Sequence, residues 1–597
     1  MFLTYFLKFL KIFSDNYRLK LVYLTFISVL CGFLEFLGVA LVFPLIVVIL
    51  QPEQVSQIPI VGNYFKDVSQ NASILFGFGI VLAFVIKNLF MIYRSYYQFD
   101  LLKDWQIELN LSVYKKYLYS SYENKLNMPS KYSIFQVWNL NNLVFVNFLT
   151  MVLNFISNFI ILSIVLVFLV VKFKIWALLT GAFFLLTGLL QNNFFKDKGR
   201  QLVRQKVEVM NLTSSSFLST IKNFKDIKIF AKENYFYNTY KKYLEKVGKI
   251  ECLISFFNTI PQNIVELCII GAIIIMCYGV VQTTGGEVYS MVASFSLLAA
   301  AMFRMAPIIN KLQSNLNMIN MSKPAIIEFF DAYEFYGEIA VLENNVDERL
   351  ELKEKIKIKN LSYSYDDVQV LDNLSFEIEK GEFLGVIGKS GVGKSTFLDV
   401  LMGLLSSYVG EINVDDVPLT SENISVWMNA IGYVPQEISV LPASIAQNIA
   451  FGVAENEIDY LLIDKVIEMT ELKDFVSGLQ NGVKEDISGL SLGQRQRLGI
   501  ARALYKNPQI LFLDEITASL DVETENNIVN CLNSLKGDKT IIAIAHRIST
   551  LKKCDRILYF KSSDTVLSGT FEELINKDEE FANIIKLASV EDVVNNQ

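Results

Sequence analysis

A glycine-rich stretch carries the residue types that bind phosphate. Gly388 and Gly393 precede Lys394 and Ser395 with the spacing G-x-x-x-x-G-K-[ST], between an apolar run and a stretch with helical spacing. Glycines let backbone N–H groups converge on phosphate oxygens, and the helix N-terminus adds its positive dipole end. Lys394 is predicted to contact the β- and γ-phosphates of a nucleotide, and Ser395 to offer its hydroxyl to Mg²⁺. The predicted phosphate loop comprises Gly388, Lys389, Ser390, Gly391, Val392, Gly393, Lys394, Ser395 and Thr396.

Two further apolar runs end in polar residues suited to hydrolysis. Residues 510–513 lead into Asp514 and Glu515, and residues 541–545 lead into His546, the single histidine among 597 residues. Ligands bind at the carboxyl ends of strands in parallel sheets, so all three are predicted near the phosphates. Asp514 suits the Mg²⁺ shell, and Glu515 is predicted to polarise the attacking water. His546 is predicted to reach the γ-phosphate or that water, and a solvated strand end is the alternative for the two acids.

Apolar residues are unevenly distributed along the chain. Hydrophobic residues make up 52% of the sequence, in long runs up to about residue 320 and in short runs between charged helical patterns beyond about residue 350. This division predicts a membrane half followed by a soluble half. The net charge of −7 argues against nucleic acid as a partner. The six cysteines form no C-x-x-C pair, so neither a disulfide framework nor a zinc site is predicted.

Six apolar segments are long enough to cross a bilayer as helices, for which about 20 residues are needed. The loop 194–252 between the fourth and fifth holds 13 Lys/Arg against 6 Asp/Glu, and the opposite connections are poor in basic residues. This asymmetry places the basic loops and both termini in the cytoplasm. The predicted spans are about 19–50, 72–99, 143–171, 173–193, 253–283 and 286–310.

Several charged residues lie inside these predicted spans, and four of them are singled out as costly positions. Glu35, Lys87, Glu266 and Arg304 should each cost roughly 2.5–3.5 kcal/mol near the bilayer centre. Such residues normally face a bundle interior, a watery cavity or a partner charge. Pairing of Glu35 or Glu266 with Lys87 or Arg304 and binding of a substrate are equally compatible with the pattern.

Further motifs resemble the ATP-binding cassette (ABC) transporter family over essentially the whole chain. Tyr365 resembles the aromatic residue that stacks on adenine, and Gln436 resembles the glutamine that joins the Mg²⁺ shell. Residues 490–494, LSLGQ, resemble the signature motif before a predicted helix 495–505, and His546 matches the switch histidine of the family. The remaining matched positions are Ser491, Leu492, Gly493 and Gln494 of the signature, and Ser519 and Asp521 of a loop that contacts the facing subunit.

The resemblance implies a half-size ABC exporter. Its fold would be an α-helical six-span transmembrane domain (1–325), a linker (326–350) and an α/β P-loop nucleotide-binding domain with a helical subdomain (351–597). Two cassettes would pack head to tail, each ATP lying between one phosphate loop and the signature of the other subunit. With one cassette per chain, the working unit would be a homodimer, or a heterodimer, that hydrolyses ATP with Mg²⁺ to drive transport.

Two departures from the family pattern stand out. The signature has Leu492 where the family has glycine, so slower or weaker closure with retained activity is expected. The segment 482–490 is shorter than the stretch that usually relays motion to the partner's loops, which leaves Glu485 and Asp486 for that role.

The predicted spans resemble those of bacterial flippases of lipid-linked oligosaccharides, which implies a polyprenyl-pyrophosphate glycan as substrate and the bacterial inner membrane as location. The resemblance rests on residues 33–46, 260–266 and 303–307. In that group cavity arginines meet the pyrophosphate: Arg304 matches one, Lys87 is a basic substitute, and Gln262 stands where a third is expected. Residues 51–68 would form a short external helix or an ordinary loop.

Other readings remain open. An exporter of peptides, lipids or hydrophobic drugs would share the same cassette. A protein of another class, an ATP-gated channel or regulator, would use the cassette to control a pore. Intact Glu515 and His546 favour a pump that turns over ATP, because a gate could work with one degraded site.

Overall fold

The computed structural model describes residues 2–13, 16–41, 70–129, 134–284, 288–337, 348–366, 368–487, 489–516, 522–545 and 547–594. The chain divides into two compact units. The first comprises Met1–Ser120 and Asn127–Ile339, and the second comprises Ser121–Leu126 and Ala340–Gln597. Residues 121–126, which in sequence lie between two helices of the first unit, therefore belong to the second.

The first unit is helical throughout its described part. Two of its helices contain a proline and continue beyond it: Pro261 lies in Glu233–Thr284, and Pro307 lies in Val288–Met321. A π-helical turn, Phe145–Leu149, joins the helices Ile134–Val144 and Thr150–Phe173. The helices are α1 (Phe2–Ile12), α2 (Asn16–Ala40), α3 (Gln70–Leu118), α5 (Ile134–Val144), α6 (Thr150–Phe173), α7 (Ile175–Lys222), α8 (Phe224–Ile229), α9 (Glu233–Thr284), α10 (Val288–Met321) and α11 (Lys323–Phe335).

Five helices in the described part of the chain are long and apolar enough to cross a membrane. They overlap the first five predicted spans at Tyr17–Gly38, Gly77–Leu118, Val137–Val171, Ile175–Lys222 and Glu233–Gln282. The sixth predicted span, 286–310, falls mostly within α10. A total of six membrane spans stays a prediction. Residues 42–69 lie outside the described residues. They include the end of the first predicted span and the segment 51–68, which was predicted as a short external helix or an ordinary loop.

Aromatic side chains form much of the core of the first unit. Phe6, Phe9 and Phe13 recur at helical spacing and are buried on one side of α1 and its end. The Phe13 ring stacks on Trp105 of α3 with centroids 4.9 Å apart, and Phe9 lies 5.9 Å from Phe148. Because fully burying a large apolar side chain contributes roughly 1.5–3 kcal/mol, this cluster fixes α1 against the longer helices.

The predicted linker 326–350 begins inside a packed helix. α11 starts at Lys323 with Pro324 in its first turn, a position that suits proline because no hydrogen bond is lost there. Phe329 and Ala332 are fully buried. Residues 326–335 are therefore a packed part of the first unit rather than a connecting segment.

Two sheets form the framework of the second unit. A four-stranded antiparallel sheet has the order β2-β1-β4-β5, and a six-stranded sheet has the order β10-β9-β3-β8-β7-β6, in which all strands except β10 run parallel. Strands β3 and β8 are buried at every position, as expected for parallel strands covered on both faces. The strands are β1 (Lys355–Tyr365), β2 (Val368–Glu379), β3 (Phe383–Gly388), β4 (Val409–Val414), β5 (Val417–Pro418), β6 (Ile431–Val434), β7 (Ile510–Asp514), β8 (Thr540–Ile544), β9 (Arg556–Phe560) and β10 (Val566–Gly569).

Short helices surround these sheets. The buried indole of Trp427 donates its N–H to the carbonyl of Leu401 over 2.7 Å, which ties α13 to the end of α12. The helices are α4 (Tyr122–Leu126), α12 (Lys394–Leu401), α13 (Ile424–Asn429), α14 (Ile445–Ile449), α15 (Tyr460–Met469), α16 (Lys473–Ser477), α17 (Leu492–Tyr505), α18 (Val522–Leu535), α19 (Ile548–Leu551), α20 (Phe571–Lys577) and α21 (Glu579–Val594). The expected α/β fold with additional helices is present.

All six cysteines are unpaired, in agreement with the sequence analysis. Cys31 and Cys268 are buried, and Cys252 of α9 is exposed. Burial raises the pKa of the Cys531 thiol to about 11 and that of Cys554 to about 12.

Candidate nucleotide site and membrane charge cluster

The parallel strands bring the predicted nucleotide-binding residues to one edge of the six-stranded sheet. In the register of β3, β8 and β7, Val386 pairs with Ile544 and Ile544 pairs with Asp514. The phosphate loop leaves β3 and Glu515 leaves β7 at this same edge. β6 pairs with β7 through Val434 and Leu513, so Gln436 follows beside them. Such an edge is where nucleotides bind in open α/β sheets.

The phosphate loop has a backbone that requires glycine at several points. Gly393 has a φ of 108°, which residues with a Cβ rarely adopt, and a Cβ there would lie 3.0 Å from Val370 and Leu371. A Cβ on Gly388 would lie 2.5 Å from the carbonyl oxygen of Phe560. The loop is thus built for close packing, and it leads into the N-terminus of α12, where Lys394 begins the helix.

Lys394 is held within the phosphate loop. Its ammonium donates to the carbonyl oxygens of Gly388 over 2.9 Å and Lys389 over 3.0 Å. Burial lowers the pKa of Lys394, and the charges of Glu515 and Asp514 oppose that shift. Lys389 itself reaches out to Glu580 of α21 over 2.6 Å. The loop therefore presents a fixed cation beside two acids, as phosphates bound with Mg²⁺ require.

Gln436 and Glu515 contact each other directly. Nε2 of Gln436 donates to Oε2 of Glu515 over 2.7 Å. Glu515 has a φ of 49°, in the left-handed region that a residue with a side chain enters at a cost. Its backbone N–H donates to the carbonyl of Ile544 over 3.2 Å, which supports that conformation. The carboxylate is thereby held at the strand edge, and its role as a water-activating base stays a prediction.

An unpredicted acid, Asp399, lies in α12 near the Mg²⁺ candidate Asp514. Burial, with the charge of Asp514 adding to it, raises the pKa of Asp399 to about 6. Asp514 also adds to the effect of burial in raising the pKa of Tyr433 to about 12. Burial is the larger cause of both shifts, and the charge of Asp514 adds to it.

The remaining predicted residues of the nucleotide site occupy defined positions. Tyr365 ends β1 half-buried, in an edge-to-face contact with Tyr363 at 5.0 Å. His546, Ser519 and Asp521 lie outside the described residues. Beside His546, Arg547 donates to the buried carboxylate of Glu525 over 3.0 Å, and so joins the end of β8 to α18.

The signature helix begins earlier than predicted. α17 starts at Leu492 rather than at Arg495, because Ser491 caps it: its hydroxyl accepts from the N–H of Gln494 over 3.2 Å, and Gln494 Oε1 accepts from the N–H of Ser491 over 2.9 Å. Such a reciprocal capping box stabilises a helix start. Leu492 is 46% exposed in the first turn of α17.

The short segment 482–490 pairs with the chain that follows Gln436. The carbonyl of Glu485 accepts from the N–H of Ile445 over 3.1 Å, and the N–H of Ile487 donates to the carbonyl of Ala443 over 3.2 Å. Asp486 bridges Ser444 in the same ladder. Residues 485–487 are therefore fixed by hydrogen bonds of their backbone.

A charge cluster lies among the helices of the first unit. The ammonium of Lys87 lies 2.9 Å from Oε2 of Glu35, and Nε of Arg304 lies 3.5 Å from Oε1. The side chains of Glu35 and Lys87 are 5% and 4% exposed. Both cations lie over the ring of Phe84, each 5.1 Å from its centroid. We call Glu35, Lys87, Arg304 and Phe84 the charge cluster.

The predicted pairing of span charges is thus observed for Glu35 with Lys87 and Arg304. Glu266 and Gln262 lie exposed on α9, and neither is among the residues of the cluster. The span residues considered for substrate binding therefore separate into Glu35, Lys87 and Arg304, which lie together, and an exposed pair, Gln262 and Glu266.

The chain is similar to known proteins in both sequence and structure. Residues 371–518 match the ABC transporter family. The solved structure of a bacterial Atm1-family ABC exporter with ATP bound superposes with a TM-score of 0.80, over 96% of this chain and 99% of that one, at 21% sequence identity. The chain has the fold of an ABC exporter. We refer to its second unit as the ABC cassette.

Curated relatives match shorter stretches. An ATP-dependent lipid A-core flippase of Saccharophagus degradans is 37% identical over 237 residues, 39% of this chain and 40% of that protein. A protein of the same name from Francisella novicida is 30% identical over 393 residues, 64% of this chain and 65% of that protein. The chain thus matches less than two thirds of the length of these relatives.

Sequence reasoning missed a contact that helix α4 makes in the ABC cassette unit. The carboxylate of Glu123 accepts hydrogen bonds from the backbone N–H groups of Ser406 and Ser407, each over 2.9 Å, and from the Ser407 hydroxyl over 2.9 Å. No local pattern marks this contact, since 283 residues separate Glu123 from Ser406. A carboxylate that accepts several backbone hydrogen bonds makes a strong, oriented contact.

Replacing Glu123 by Ala is expected to separate ATP hydrolysis from transport. Loss of hydrogen bonds to a charged group costs about 1.5–3 kcal/mol, so α4 should detach from the 406–407 backbone. We expect basal ATPase activity in liposomes to stay within about twofold, and substrate-stimulated ATPase and transport to fall about tenfold. Glu123→Gln should be intermediate, and Glu422→Ala, an exposed acid of the ABC cassette, serves as control. Equal loss of basal and stimulated activity would contradict this role.

Replacing Leu492 by Gly is expected to accelerate ATP hydrolysis. The exposed leucine stands at the first position of α17, where the partner cassette would close, and glycine would let the two surfaces approach more closely. We expect ATPase activity at saturating ATP to rise about two- to fivefold, a gain of less than about 1 kcal/mol. The loss of helix stability is about 1 kcal/mol, so Leu492→Ala is measured alongside. An unchanged ATPase rate in both variants would contradict the prediction that Leu492 slows closure.

Proposed function

We propose that two copies of this chain form an ATP-driven exporter that moves an amphipathic lipid with an anionic headgroup across a bacterial inner membrane. The proposed substrate is a lipid-linked oligosaccharide, whose polyprenyl pyrophosphate would meet the charge cluster. The ABC cassette and both termini would lie in the cytoplasm. The second copy would be identical, and membrane lipids would be the other partners.

The charge cluster is the observation that carries this proposal. Lys87 and Arg304 are brought together from α3 and α10 around one carboxylate, Glu35, in a region of apolar helices. Charges in such a setting are expensive and usually serve binding or pairing. Two cations beside one carboxylate leave one positive charge in excess, which an anionic headgroup would neutralise. A hydrophobic drug or an uncharged lipid would leave it unbalanced.

The nucleotide-site residues fit ATP with Mg²⁺. The phosphate-loop amides and Lys394 would hold the β- and γ-phosphates, and Ser395, Gln436 and Asp514 would supply oxygen ligands to the ion. Glu515 would accept a proton from the attacking water, and Gln436, hydrogen-bonded to it, would hold its carboxylate in place. Bound ATP would supply the energy of closure between two ABC cassettes.

The names of the matched relatives support a lipid as substrate. Two matched relatives are named ATP-dependent lipid A-core flippases, and one of them covers part of the helical unit as well as the ABC cassette, since its match is 393 residues long. We extend this to an anionic glycolipid because of the charge cluster, and to a polyprenyl pyrophosphate because of the resemblance of the spans.

The test is ATPase stimulation and lipid flipping by the full chain in liposomes. A polyprenyl-pyrophosphate glycan should stimulate ATPase activity and be flipped, and the matching polyprenol glycan without pyrophosphate should not. The double variant Lys87→Gln, Arg304→Gln should lose this preference, and Glu266→Gln serves as control for a change in an exposed span charge. Equal response to both lipids, or full transport by the double variant, would refute the proposal.

A further inference from the structure

One more cation lies in α3 and takes no part in the nucleotide site or the charge cluster. Nε and Nη1 of Arg94 are buried and have no hydrogen-bond partner among the residues that the structure describes. Arg94 lies in the predicted span 72–99, as Lys87 does. Burying two guanidinium nitrogens without hydrogen-bond partners is costly in apolar surroundings. A partner from outside the chain would therefore stabilise it.

Arg94 follows Lys87 along the same side of α3. Seven residues separate them, which is close to two helical turns and about 10 Å along the axis. The Cys31 thiol of α2 donates to the carbonyl of Phe90 over 3.8 Å and lies within electrostatic range of both Arg94 and Glu35. Since Glu35 meets Lys87 one turn further along α2, the two cations face the same neighbouring helix.

Counting Arg94 increases the positive charge of this region. Three cations, Lys87, Arg94 and Arg304, are accompanied by one carboxylate, Glu35, which leaves an excess of two positive charges. A phosphate monoester or a pyrophosphate carries a matching charge. The planar guanidinium of Arg94 can also bind two phosphate oxygens through a pair of parallel hydrogen bonds, a rigid geometry that the ammonium of a lysine does not offer.

We propose that Arg94 is a second anion-binding position for the transported lipid, about two helical turns from the charge cluster. α3 runs from the connection predicted outside the cell to the one predicted in the cytoplasm, so Arg94 is nearer the cytoplasmic surface than Lys87. A lipid phosphate entering from the inner leaflet meets Arg94 first and the charge cluster second. This inference rests on the proposed function, because it assigns a second position to the same substrate.

The test compares Arg94→Gln, Arg94→Lys and the control Tyr96→Gln, which changes an exposed neighbour on α3. Full-length protein in liposomes is titrated with polyprenyl pyrophosphate and with the matching polyprenol. Arg94→Gln is expected to raise the half-saturating concentration of the pyrophosphate lipid about tenfold, corresponding to one charge-assisted contact. The response to polyprenol should not change. Arg94→Lys should raise the concentration less, and Tyr96→Gln should leave it unaltered.

Lipid binding is also measured without ATP, as the rise in Tm that each lipid produces. The pyrophosphate lipid should raise the Tm of the unaltered protein more than that of Arg94→Gln. An equal rise in both proteins overturns the inference, whether or not the lipid stimulates ATPase activity. If Lys87→Gln weakens the response and Arg94→Gln does not, the inference fails and the proposed function stands. If neither variant distinguishes the two lipids, both fail.

Discussion

Replacing Glu515 by Gln is expected to reduce ATP hydrolysis about a hundred- to thousandfold while ATP binding is retained. A positioned general base contributes about 10²–10⁴ to a rate, and glutamine cannot accept the proton of the attacking water. The amide keeps the size of the side chain, and its oxygen can still accept from Nε2 of Gln436, which lies 2.7 Å from the Glu515 carboxylate. Steady-state phosphate release measures the rate, and retention of labelled ATP measures binding.

Glu437→Gln is the matched control, because Glu437 is an exposed acid adjacent to Gln436 and is not placed in the nucleotide site. It should keep full activity. Directional lipid movement should stop in Glu515→Gln, which distinguishes a pump from the ATP-gated channel considered above. A channel would still open with ATP and let its substrate flow down the gradient. Hydrolysis within about threefold of the unaltered protein would show that another group is the base.

Replacing Glu35 by Gln is expected to lower the stability of the substrate-free protein and to raise its affinity for an anionic lipid. Removing one partner of a buried ion pair costs about 3–5 kcal/mol, because Lys87 and Arg304 would lose their carboxylate. Tm in detergent without substrate should therefore fall by several degrees. The same two cations would be free for a phosphate, so the half-saturating concentration of polyprenyl pyrophosphate in the ATPase assay should fall about tenfold.

A lower Tm together with a higher lipid affinity would distinguish substrate binding from simple pairing of helices, the two roles that the sequence pattern fits equally. If the cluster only held the helices together, Glu35→Gln would lower the Tm and leave lipid affinity unchanged. Lys87→Gln should act in the other direction on affinity, raising the half-saturating concentration. Glu266→Gln, a change of an exposed acid on α9, should alter neither quantity. Weaker lipid binding by Glu35→Gln would contradict a competition between the carboxylate and the lipid.

Local sequence patterns were sufficient to predict the fold class and the strand–loop–helix order around the predicted phosphate loop. The strand–loop–helix order around Gly388, Gly393 and Lys394 depends on neighbours in sequence, and so does the ending of β7 at Asp514. Apolar run length likewise indicated the five helices in the described part of the chain that are long and apolar enough to cross a membrane. The start of α17 was misplaced by three residues because Ser491 and Gln494 form a capping box that the predicted helix boundary ignored.

Contacts between distant segments could not be predicted. Glu123 meets Ser406 across 283 residues, and Arg547 meets Glu525 through the packing of α18 on the end of β8. One omission had a signal that was available: Arg94 is charged and lies in a predicted span, as Lys87 does, and the same criterion identifies it. Which charges pair is a property of helix packing, and for this reason Glu35, and not Glu266, was found beside Lys87 and Arg304.

The distribution of thiols gives this protein a native attachment point for spectroscopic labels. Cys252 is exposed near the predicted cytoplasmic start of the fifth span, whereas Cys31 and Cys268 are buried. Cys531 and Cys554 hold their protons tightly, because burial raises their pKa to about 11 and about 12. A maleimide spin label should therefore modify Cys252 first. In the proposed pair of identical chains, two labelled copies would report opening as a change in the distance between their nitroxides, without any engineered cysteine.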